Sequence, residues 1–109
     1  METLTRQAAL ARFGHALSDP TRTEILLMLR SGPGYPSQLA ESIGVSRQIL
    51  SNHLACLRGC GLVTASPEGR HARYELAHPR IAHALDDLIG LVLSVDPACG
   101  PTAATDGCC

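Results

Sequence analysis

A mainly helical fold carrying one small β-hairpin is what this sequence predicts, on three observations. Apolar residues recur at helical spacing through most of the chain. Two short helical stretches are separated by the tight turn Gly44-Val45-Ser46. Between Leu62 and Leu76 the pattern changes to short β-prone runs around a turn rich in Pro and Gly. The chain has 109 residues, with no Trp, one Phe and two Tyr, so its core must come from Leu, Ile, Val and Ala. A domain of this size buries roughly 60 to 70% of its surface by itself, so dimerisation has stability to add.

The elements follow in order. Leu10, Phe13 and Leu17, extended by Leu4 and Ala8, predict a first helix over Thr3–Leu17. Ser18-Asp19-Pro20 ends it, and Asp19 as N-cap with Pro20 in the first turn starts a second helix through Ile25, Leu26 and Leu29. Gly32-Pro33-Gly34 stops that helix. A third, Pro36–Ile43, carries Leu39, Ala40 and Ile43 and closes at Gly44 in the left-handed conformation. Ser46 caps a fourth helix from Arg47 to about Gly59, which gives the spacing of a helix-turn-helix unit.

Strands are expected over Leu62–Ala65 and Ala72–Leu76, separated by the loop Ser66-Pro67-Glu68-Gly69-Arg70 as a wing. Pro79 opens a last helix with Ile81, Leu85, Leu88, Ile89, Val92 and Val95. It is apolar around much of its circumference and is expected to bury part of that surface against a second subunit. Residues 1–96 thus read as a winged helix-turn-helix domain for DNA binding and dimerisation, and 97–109 as a flexible cysteine-containing tail.

The net charge of -1 excludes a protein that coats nucleic acid indiscriminately. The distribution is uneven, however. Between Val45 and Tyr74 lie Arg47, Arg58, Arg70 and Arg73 against Glu68 alone, whereas Asp86, Asp87, Asp96 and Asp106 follow from Glu75 onward against Arg80. A basic surface confined to one region predicts a localised footprint on double-stranded DNA. On a helical wheel Leu50, Leu54 and Leu57 form the buried stripe of the fourth helix, while Arg47, Gln48, Ser51, Asn52 and Arg58 spread over the other side. Gln and Asn pair bidentately with adenine, Arg with guanine or phosphate, and Ser with either, so that side is equipped to read a major groove. Arg70 and Arg73 on the wing are placed for phosphates or the minor groove. His53 is assigned to the DNA side, with a fourth metal ligand or an ordinary helix residue as the other readings.

No apolar run approaches the about 20 residues that span a bilayer, and no secretory pattern opens the chain, so a cytoplasmic protein is expected. In a reducing cytosol the five cysteines are thiols. Cys56 and Cys60, four residues apart, project from one side of the fourth helix and can converge on one soft ion. Two thiolates are fewer than the three or four donors such an ion takes, and Cys99 just past the last helix is the leading third ligand. A pair of small buried hydrophobes and a thiol redox switch are the competing readings. An enzyme is disfavoured because no Cys-His-Asp order or phosphate loop is present and so small a helical domain has little room for a substrate cleft.

The residues Leu17-Ser18-Asp19-Pro20-Thr21-Arg22, Gln38-Leu39-Ala40, Val45-Ser46, Ser51-Asn52-His53-Leu54, Leu57, Gly61-Leu62-Val63, Glu68-Gly69-Arg70 and Tyr74 together resemble the ArsR/SmtB family from about Ala9 to Val95. The resemblance implies a homodimer joined through its first and last helices, with the two fourth helices in successive major grooves. It also implies repression in the metal-free state and release when an effector binds. The run Leu54 to Leu62 resembles a cadmium- and lead-sensing branch of that family, which implies Cys56, Cys60 and Cys99 as ligands of Cd2+ or Pb2+. Cysteine pairs of the arsenic-sensor type are missing from the third helix, and His83 with Asp86 or Asp87 is a fragment of the zinc-sensor site that reads as solvated surface. Cys108 and Cys109 depart from the branch. They can add a fourth sulfur or, with Cys99, form a three-sulfur site for As3+, and Hg2+ and Zn2+ also stay open.

Overall fold

A computed structural model describes residues 5–92 of the chain. Thr3, Leu4, Val95 and the tail, including Cys99, Cys108 and Cys109, lie outside the described residues. The element order is α1 (Arg6–Leu17), α2 (Pro20–Leu29), α3 (Pro36–Ile43), α4 (Arg47–Gly59), β1 (Val63–Glu68), β2 (His71–Leu76) and α5 (Pro79–Val92). This is the winged helix-turn-helix order expected from the sequence.

Local chemistry sets the boundaries. The Thr5 hydroxyl accepts the Ala8 N–H at 3.0 Å, so α1 begins at Arg6 rather than at Thr3. Asp19 Oδ1 accepts from the N–H groups of Thr21 at 2.8 Å and Arg22 at 3.1 Å, and Pro20 fills the position whose N–H no cap is needed for. Gly44 at φ 86° takes the left-handed turn that ends α3 and donates to the Ala40 carbonyl at 2.8 Å. Two residues later the Ser46 hydroxyl accepts from the Ile49 N–H at 3.1 Å and starts α4. The predicted turn between α3 and α4 is therefore closed by one glycine and opened by one serine.

The core is aliphatic, as the composition requires. Ile25, Leu26 and Leu29 of α2 meet Leu39 and Ala40 of α3, Leu50, Leu54 and Leu57 of α4, Leu62 and Val63 before and within β1, and Leu85 of α5. Ala16 closes it from α1, and Phe13, Tyr74 and Ile81 pack on its margin. Each fully buried Leu contributes on the order of 2 kcal/mol from removal of apolar area from water, so α4 is anchored by three such side chains along one stripe.

The hairpin departs from expectation in extent. Strand β1 was expected to stop at Ala65, and β2 to start at Ala72. The antiparallel ladder instead runs from the Val63–Leu76 pair to the Glu68–His71 pair, leaving only Gly69-Arg70 as the turn. In a two-stranded ribbon every strand is an edge, so Pro67 can sit opposite Ala72 without depriving a third strand of an N–H. Gly69 at φ 61° supplies the positive φ that a two-residue hairpin turn needs at its first position. The wing hangs directly from α4, because the Leu62 N–H donates to the Leu57 carbonyl at 3.0 Å. It is also pinned to the entry of α3: Gly34 and Tyr74 exchange both backbone hydrogen bonds at 2.9 Å.

Helix α5 buries Leu85 and half-buries Ile81 and Ile89, and Asp86 pairs with Arg30 at the end of α2. On its outer side Leu88 is 38% exposed and Leu91 65%, while Leu10 on α1 is 71% exposed. No helix among the described residues is long and apolar enough to cross a membrane.

Candidate nucleic-acid interface and metal centre

Helix α4 has two working sides. With Leu50, Leu54 and Leu57 buried, Arg47, Gln48, Ser51, Asn52 and Arg58 are all exposed, as the wheel predicts. Gln48 Nε2 donates to Asn52 Oδ1 at 3.1 Å across one turn, which aligns the two amides as a pair. No acidic residue occurs anywhere on α4. The surface is thus rich in donors, fixed on a helix with a locked buried stripe, and free of charge that would repel phosphate.

On the wing, Arg70 is exposed at the turn. Arg73 is partly covered, its Nε 3.9 Å from Oε2 of Glu68. The Tyr35 hydroxyl donates to Oε1 of the same carboxylate at 2.6 Å, and the Tyr35 ring meets His71 edge-on at 6.2 Å. The bond to Glu68, with burial and the carboxylate charge behind it, pushes the Tyr35 phenol above its ordinary value.

His53 is placed differently from the other expected DNA-side residues. It is half-buried and turned toward the junction of α1 and α2, with Nδ1 3.3 Å from Arg22 NH1 and Nε2 3.8 Å from Asp19 Oδ1. A guanidinium only donates, so Nδ1 is the ring nitrogen placed to accept from Arg22, and Nε2 faces Asp19. Arg22 is the hub of this cluster. Its Nε donates to the Ala16 carbonyl at 3.1 Å, and NH2 donates to the His15 carbonyl at 2.9 Å and to the Ser18 hydroxyl at 3.3 Å. Burial alone would raise the Asp19 pKa, but the backbone bonds from Arg22 and Thr21, with His53 and the Arg22 charge nearby, hold it below the ordinary carboxylate value. On sequence alone Asp19 reads as a cap and Arg22 has no assigned task; the signal for both is the unbroken run Ser18-Asp19-Pro20-Thr21-Arg22 at a helix junction.

Cys56 and Cys60 are free thiols, both half-buried, the first on the last turn of α4 and the second at its C-cap. Burial, followed by the neighbouring Cys56 thiol, pushes the Cys60 pKa up, while Arg12 of α1 and Arg22 of α2 pull it down. Two neighbouring cysteines one helical turn apart suit a soft ion. Among the described residues no group of three or more His, Cys, Asp or Glu side chains is arranged to hold a metal, so the pair needs a donor from elsewhere.

The helix-turn-helix, the wing and the amide- and arginine-bearing face of α4 define a winged helix-turn-helix regulator. The chain belongs to the ArsR family of bacterial regulatory proteins, whose family model matches residues 19–65. Similarity to individual members extends further. The transcriptional regulator CmtR of Mycobacterium tuberculosis is 56% identical over 91 residues, covering 84% of this chain and 77% of its own. The NMR structure of this cadmium metal-sensor matches with a TM-score of 0.65 over 79% of this chain and 90% of that one. A Streptomyces lividans protein named "Probable mercury resistance operon repressor" is 38% identical over 106 residues, 95% of this chain and 78% of its own. A homodimeric winged helix-turn-helix DNA-binding domain from Mycobacterium bovis, 28% identical, matches with a TM-score of 0.72 over 85% of this chain and 90% of that one. These relatives are regulators of transcription, the class expected from the sequence in preference to an enzyme.

Proposed function

We propose that this protein is a homodimeric transcriptional repressor that holds operator DNA in its metal-free form and releases it when a soft metal ion, Cd2+ or Pb2+ first, binds Cys56, Cys60 and Cys99. The observation that carries the reading is the placement of two neighbouring thiols, Cys56 on the last turn and Cys60 at the C-cap of the helix that presents Gln48, Ser51 and Asn52 to solvent. Identity of 56% to a regulator whose structure is that of a cadmium sensor supports the choice of ion. Arg47, Gln48, Ser51 and Asn52 are the base-reading set, and Arg58 and Arg70 serve the phosphates, with Arg73 on the same wing face beside Glu68. His53 acts from behind, bracing α4 through Arg22 and Asp19.

The dimer is proposed to form through α1 and α5, whose exposed Leu10 and Leu88 a second copy would cover, and the homodimeric M. bovis domain supports it. When bound, the metal supplies strong bonds to thiolates. The chain's own part is to join the reading helix, through Cys56 and Cys60, to the segment bearing Cys99. Coupling of this kind is worth about 1 to 3 kcal/mol in allosteric proteins, or about 5- to 150-fold in operator affinity.

The test is a gel-shift titration on a duplex selected by the protein from a random pool, with Cd2+, Pb2+, Zn2+, Hg2+ and As3+ in separate arms. Wild type should leave the DNA at low Cd2+ or Pb2+, and Cys56→Ser should stay bound. Equal release of both proteins removes Cys56 from the mechanism. Release by As3+ alone, lost on replacing Cys108 and Cys109, would move the sensor to the tail.

A further inference from the structure

Glu68 is the one acidic residue between Val45 and Tyr74, and it stands at the end of β1 beside the turn that presents Arg70. Both of its oxygens are engaged: Oε1 accepts the Tyr35 hydroxyl at 2.6 Å, and Oε2 lies 3.9 Å from Arg73 Nε. The hold comes from outside the wing. Tyr35 is the N-cap of α3, and its neighbour Gly34 is fastened to Tyr74 by two backbone hydrogen bonds of 2.9 Å. The Tyr35 bond biases the carboxylate toward Arg73.

The Glu68–Arg73 pair is itself exposed and weak, so the ion pair does not withhold Arg73 from DNA. What matters is the charge that stays behind. If Arg73 turns to a phosphate, the tethered carboxylate faces the same phosphate and offsets the contact. The phenol of Tyr35, pushed up by this very bond, remains a donor through the neutral range.

We propose that Glu68 tunes how tightly the wing holds DNA: held by Tyr35, it cancels the phosphate contact of Arg73, so that Arg70 alone anchors the wing electrostatically. Sequence-independent binding is set by the number of phosphates neutralised, whereas base reading by Gln48, Ser51 and Asn52 is not. A cancelled charge on the wing therefore lowers affinity for the operator and for unrelated DNA by about the same factor, and leaves their ratio to base reading. This deepens the DNA-binding reading above and rests on it.

The experiment compares wild type with Glu68→Gln, which keeps the acceptor for Tyr35 and removes the charge. Fluorescence anisotropy gives affinity for the selected duplex and for an unrelated duplex of equal length, between 50 and 200 mM salt. One added phosphate contact steepens the slope of log affinity against log salt by about 0.9, which is about 3.5-fold more loss across that range. E68Q should show this steepening with both duplexes and bind both more tightly at 50 mM salt, by about the same factor. Adding Arg73→Gln to E68Q should restore the wild-type slope, and Glu68→Ala should behave as E68Q does. An unchanged slope in both E68Q and Glu68→Ala, with folding verified by circular dichroism, overturns the proposal. Failure of wild type to bind either duplex would instead overturn the DNA-binding reading itself.

Discussion

The guanidinium of Arg22 lies 3.3 Å from Nδ1 of His53, joining the first turn of α2 to the middle of the reading helix. The same side chain bonds the carbonyls of His15 and Ala16 at the end of α1, and its charge acts on the Cys60 thiol. One residue therefore links the helix assigned to the dimer, the helix assigned to DNA, and the thiol pair. Hydrogen bonds to a charged group contribute about 1.5 to 3 kcal/mol each at best, and fewer of them count where water competes. Arg22→Ala should lower stability by about 1 to 3 kcal/mol, read as a lower urea midpoint at fixed protein concentration.

Asp19 has its pKa held below the ordinary 3.8 in the folded chain. A depressed carboxylate stabilises the fold above its unfolded pKa, and that contribution disappears as the pH falls through the folded value. Asn also caps helices well, so Asp19→Asn removes the charge while keeping the cap, and Asp19→Ala removes both at a further cost of about 0.5 to 2 kcal/mol. Stability measured from about pH 5 downward should fall less steeply in Asp19→Asn than in wild type. Parallel profiles would show that the charge contributes nothing.

Gly44 adopts φ 86° in the turn between α3 and α4, and open space surrounds the position a Cβ would take. Gly44→Ala therefore introduces backbone strain without a clash, and about 1 to 2 kcal/mol of destabilisation is expected. Thermal unfolding checks the magnitude. A loss much larger than that would mean the turn is also packed against something outside the single chain.

Leu10 at 71% exposure and Leu88 at 38% lie on the two helices assigned to the dimer. Replacing either with Glu buries a charge in the proposed interface but little within the monomer. Leu10→Glu and Leu88→Glu should shift sedimentation from dimer toward monomer while leaving the helical circular dichroism signal in place. Unaltered dimers in both variants would place the interface elsewhere.

The order of elements was legible because each boundary is set locally. Asp19, Gly44 and Ser46 act through their own next few residues, and the Leu50-Leu54-Leu57 stripe needs only helical spacing to be seen. The exposed face of α4 and the proximity of Cys56 to Cys60 follow from the same periodicity. The full length of β1 was not legible, since Pro67 reads as a breaker until the ribbon is known to have only edges. Nor were the bonds from Arg22 to His53 and from Tyr35 to Glu68, which span 31 and 33 residues and depend on how helices and wing pack.

The account turns on whether the thiol pair of α4 governs DNA binding, and affinity of the selected duplex with and without saturating Cd2+, for wild type and Cys60→Ser, tests this most directly. Wild type should bind at least about 5-fold more weakly with cadmium, while Cys60→Ser binds equally well in both conditions and loses the ultraviolet sulfur-to-cadmium absorption. Undiminished cadmium-driven release by Cys60→Ser would contradict it.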